Sequence, residues 1–140
     1  MPADISERCN TIEESYEFML AYAAQGLPSE EGSKAGAQIR EFLNRVVKAI
    51  SGLTESCAIT VKQNGFEPKE RYDAFLAVVE RDARDSLAAI ELVLAQPSIS
   101  SQLIDNLNSS MHLRALLTDL FLLSDILSRK DRASVDSVRK

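Results

Sequence analysis

A chain of 140 residues fits one domain and leaves no room for two ordinary ones, and its 45% hydrophobic and 26% charged residues are the composition of a globular protein with its own core. A net charge of −5 without a basic stripe along the body argues against a nucleic-acid partner, since phosphate binding needs clustered cations. The acidic start Met1-Pro2-Ala3-Asp4-Ile5-Ser6-Glu7 has no apolar targeting segment, the longest apolar runs fall far short of the roughly 20 residues of a membrane span, and only two cysteines are present, so a cytoplasmic protein with no membrane partner is expected.

The first helix is predicted over about 4–25, opened by Asp4 or Ser6 and closed by Gly26 and Pro28. Its apolar stripe is Ile5, Cys9, Ile12, Tyr16, Met19 and Ala23, in steps of three and four. Phe18 and Tyr22 project away from that stripe.

The second helix is predicted over 33–63, with Ile39, Leu43, Val46, Ile50, Leu53, Cys57 and Val61 on one face and Phe42 and Val47 widening it. The apolar phase does not slip at Gly52, which predicts one continuous helix closed by Asn64-Gly65, with a break at Gly52 as the alternative. The third helix, 68–96, opens at Glu67-Pro68 and carries the stripe Tyr72, Phe75, Leu76, Val79, Ala83, Leu87, Ile90 and Leu94.

In the last third, Ile99, Leu103, Leu107 and Met111 point one way on a helical wheel. Leu113, Leu116, Leu117, Leu120, Leu123 and Leu127 point nearly the opposite way. The stretch Asn106 to Ser110 between them is rich in capping residues. A break there gives helices over 98–108 and 111–128, the latter capped by Ser109 or Ser110. A polar, partly basic tail over 129–140 holds Arg129, Lys130, Arg132, Arg139 and Lys140. Amphipathic helices joined by short loops predict an all-α, antiparallel up-and-down bundle of four to five helices forming a single domain over 1–128.

The sequence is short of catalytic parts. A di-iron bundle needs two Glu-x-x-His pairs and the chain has one histidine; structural zinc needs four Cys or His ligands and the chain offers three. A Gly-rich phosphate loop is absent. No catalytic residue, metal or cofactor is therefore expected.

Cys9 and Cys57 sit on core stripes. In a hairpin of two straight helices Cys57 would lie about 10 Å along the axis from the level of Cys9, so two free core thiols are predicted. His112, with Arg114 two residues on, is a candidate phosphorelay histidine but lacks the glycine such sites use. The plainer expectation is a helix-start histidine packed at the edge of the core. Asp119, two turns further on, is expected to reach solvent or to pair with an arginine.

What the stripes leave over is apolar surface. Phe121 falls in the polar face of the last helix with Leu122 beside it. Phe18, Tyr22, Phe121 and Leu122 are the candidate interface residues, with internal burial of those helices as the competing account. The functional expectation is a non-catalytic protein–protein interaction or adaptor module, self-associating as a homodimer through these faces. The alternative is a helical small-molecule binder or sensor with its ligand near Tyr16, Met19 and Tyr72.

Overall fold

The computed structural model describes the backbone of residues 3–139 and the side chains of 4–129. It is all-α, with no strand among the described residues. The helices are α1 (Ala3–Ala24), α2 (Lys34–Ile50), α3 (Leu53–Asn64), α4 (Lys69–Leu94), α5 (Ser101–Ser109) and α6 (His112–Arg139).

Six helices make four columns. The start of α1 meets the end of α2, where Arg8 donates to the Lys48, Ala49 and Ser51 carbonyls. The start of α2 meets the end of α4, where Arg40 donates to the Leu94 and Gln96 carbonyls. The end of α1 meets the start of α5 through Tyr22 and Leu27, and the end of α5 reaches back to Met19 through Asn108. The columns therefore alternate: α1 up, α2 and α3 down, α4 up, α5 and α6 down.

Both descending columns are broken, and each break has a local cause. The helix predicted over 33–63 is two helices. Ser51 leaves α2 with an extended backbone and Gly52 turns into the left-handed region at φ 84°, a conformation only glycine adopts without strain. The wheel is blind to this break because Leu53, Cys57 and Val61 still face the core.

The second break falls where the apolar face was predicted to swing. Met111 carries it with φ 64°, unusual for a residue with a side chain. The serines predicted to cap α6 close α5 instead. The Ser109 hydroxyl donates to the Asp105 carbonyl and that of Ser110 to the Leu107 carbonyl. Past residue 128, where the last helix was predicted to end, the α6 backbone stays helical through Arg139.

The core runs along the bundle axis and includes Ile12, Met19 and Tyr22 of α1, Leu43 and Val46 of α2, Leu53 of α3, Val79 and Ile90 of α4, Ile104 of α5 and Leu116 of α6, all buried. Burying one such side chain contributes about 1.5–3 kcal/mol. Beyond Ile12 the buried positions of α1 are Ser15, Met19 and Tyr22, where the stripe predicted Tyr16 and Ala23; those two are half-buried. The shift follows from the position of α1, which packs against α2, α3, α5 and α6 and is covered from more than one side.

Candidate functional site

Two of the four candidate interface residues turn inward, Tyr22 as part of the core and Phe18 packed against it. Tyr22 is 0% exposed, and its hydroxyl donates to the Ile99 carbonyl at 2.6 Å. Burial, with Glu30 adding to it, raises its pKa above the ordinary phenol value. Phe18 is half-buried and stacks on Phe42 with ring centroids 4.1 Å apart, while Arg45 lies over the other ring. The face of α1 that carries them is packed on by α2 and α5, so Tyr22 is buried within the chain while Phe18 keeps part of its surface exposed.

The other two remain at the surface. Phe121 is 48% and Leu122 50% exposed, side by side on α6. Sequence reasoning missed their neighbour Val78, which is 39% exposed on α4. Its register explains the proximity. Asp82 of α4 and Asp119 of α6 lie within hydrogen-bonding reach across the seam. Val78 is one turn before Asp82 and Leu122 one turn after Asp119; because the helices run in opposite directions, both steps lead to the same level. Phe75 and Ile126, half-buried, occupy the next turn. The seam below the two acids is therefore an apolar strip, widened on the α6 side by Phe121.

Asp119 is half-buried at the seam and, among the described residues, pairs with no arginine. Its Oδ2 is fully buried and accepts no hydrogen bond. Burial first, then the facing Asp82, raises its pKa from the ordinary carboxylate value to about 7. His112 stands exposed at the start of α6 rather than packed at the core edge, and Arg114 is exposed two residues on.

The candidate ligand residues Tyr16, Met19 and Tyr72 are not brought together. Met19 is in the core and Tyr72 stacks on Phe66 at 5.6 Å between α3 and α4. A cleft of about 360 Å³ opens beside Phe66, lined by Val61, Phe66 and Leu76 with Lys62, Lys69 and Asp73 at its rim; Lys69 is already paired with Asp73 at 2.9 Å.

Cys9 and Cys57 are both buried and free. The break at Gly52 removes the straight-helix geometry that set them far apart: α3 packs on α1, and Cys9 is close enough to act on Cys57. Burial above all, then Cys9, pushes the Cys57 thiol up to about 11. Among the described residues no group of three or more His, Cys, Asp or Glu is arranged to hold a metal ion. Among the described residues no helix is long and apolar enough to cross a membrane. Comparison of the chain with protein-family models, curated proteins and solved structures gives no match.

Proposed function

We propose that this chain is a non-catalytic protein–protein interaction module that self-associates, as a cytoplasmic homodimer, through the outward face of α6 and the adjoining edge of α4. The observation that carries the reading is the half-exposed pair Phe121–Leu122 with Val78 at the same level on the next helix. Exposed apolar side chains scattered singly are ordinary, whereas a contiguous set across two helices is the kind of surface a partner covers. A two-fold dimer would place this strip against its own copy, apolar on apolar, with no buried charge to desolvate at its centre.

The test is the molecular mass in solution. Sedimentation equilibrium is expected to give a concentration-dependent dimer for the unaltered chain and a monomer for the Phe121→Ser/Leu122→Ser double variant, with equal helical circular dichroism and a stability change within about 0.5 kcal/mol, as for surface substitutions. A chain that stays monomeric at every concentration, or a double variant that dimerises as before, overturns the proposal.

The small-molecule reading retains one specific support, the apolar-floored cleft beside Phe66. One of its two rim lysines, Lys69, is already engaged by Asp73, and its size is at the small end for a ligand site. It stands second for those reasons.

A further inference from the structure

The Asp82–Asp119 contact joins two groups that cannot bond to each other when both are ionised. A carboxylate is an acceptor only, and it gains a donor only by taking up a proton. Asp119 Oδ2 is out of reach of water and receives no N–H or O–H from any described residue. The group within hydrogen-bonding reach of the Asp119 side chain is the carboxyl of Asp82.

The surroundings offer no cation in compensation. On α4 the nearest arginines are Arg81 and Arg84; both are exposed, and Arg84 is paired with Glu80 at 2.9 Å. On α6, His112 and Arg114 are exposed. On α1, which packs on α6, the mid-helix charges are Glu13, Glu14 and Glu17. On α5 there is Asp105, and α2 and α3, which pack on α4, carry Arg45, Lys48, Glu55 and Lys62. Two like carboxyls brought together without a counter-ion hold one proton between them.

We propose that Asp82 and Asp119 share a single proton across the α4–α6 seam, and that this proton is a pH-sensitive clasp holding the two helices together. With the proton in place, one carboxyl donates to the other and the orphan oxygen is satisfied. Without it, two negative charges face each other at a partly buried seam. The pKa of Asp119 is raised in the folded protein, so the folded chain binds more protons than the unfolded chain between the ordinary carboxylate range and about 7. The clasp contributes fully below the unfolded pKa, and its contribution is lost as pH rises through that window.

The experiment measures urea unfolding of the full chain from pH 5 to pH 8.5, in a His112→Asn background that leaves the chain without histidine. The unfolding constant of this parent is expected to rise by about a hundredfold between pH 5 and pH 8.5. Asp119→Asn, whose amide donates to Asp82 at every pH, is expected to flatten that slope and to be the more stable protein at pH 8. Carboxyl carbon NMR on the unaltered chain provides a readout that does not depend on any variant folding: one titration of the pair is expected near neutral pH. Both carboxyls titrating in the ordinary range, or an Asp119→Asn slope equal to that of the parent, overturns the proposal.

Discussion

Two arginines do the same physical job at opposite ends of the bundle. The last carbonyls of a helix have no partner within it, and a guanidinium from a neighbouring column satisfies them. Arg8 gathers three carbonyls around the end of α2 while its Nε holds Asp4, which also accepts from Ser56. The Ser56 hydroxyl first, then Arg8, lowers the Asp4 pKa below the ordinary value. Arg40 caps α4 and grips Glu30 through both carboxylate oxygens at 2.8 Å, and Glu30 also accepts from the Ile99 N–H. Gly36 is the glycine this corner demands, since a Cβ there would overlap the Glu30 carbonyl. At the same scale the two thiols are chemically silent. With a pKa of about 11, only roughly one Cys57 in a thousand is thiolate at pH 8, and burial also raises the Cys9 thiol. Neither is expected to react with Ellman's reagent until the chain unfolds; modification of either within seconds in the native protein would contradict the burial described.

At the scale of elements the two breaks differ in origin and so in how they respond to change. At Gly52 the residue suits the turn, whereas at Met111 a side chain is held in the left-handed region and exposed. Met111→Gly is therefore expected to stabilise the protein by about 1 kcal/mol, read as a higher urea midpoint, less the entropy that glycine loses on folding. A lower midpoint would mean that the methionine side chain contributes packing that outweighs its strain. The helices and their inward faces are legible in the sequence because periodicity reports burial directly: Ile39, Leu43, Val46, Leu53 and Cys57 all face the core as their spacing implies. The break at Gly52 is not legible in that signal, because the phase carries across it. Tyr22 is misread for the converse reason. A helix wrapped by several neighbours buries residues off its main stripe, and a wheel drawn for one face assigns them to the outside. Phe121 and Leu122 keep their predicted exposure, but Val78 and the Asp82–Asp119 contact emerge only from the register of α4 against α6, which no single helix contains.

Over the whole molecule the long-range polar bonds concentrate at the end where α1 and α4 finish. Tyr22, Leu27 and Glu30 are tied there to Ile99 and Ser101, and Arg40 to Leu94 and Gln96. Arg40→Met keeps most of the aliphatic volume but removes the caps of α4 and leaves Glu30 half-buried without its cation. It is expected to cost about 2 kcal/mol and to expose the 95–100 amides to hydrogen exchange ahead of the rest. Uniform protection would show that the corner is held by packing alone. The same corner governs the order of events during synthesis. A nascent chain that has emerged only as far as α3 carries Tyr22 with no carbonyl for its hydroxyl and Arg40 with no helix end to cap, because their partners lie at Leu94 to Ile99. The first two columns have no finished form until the third and the link that follows it have left the ribosome, so the bundle closes late.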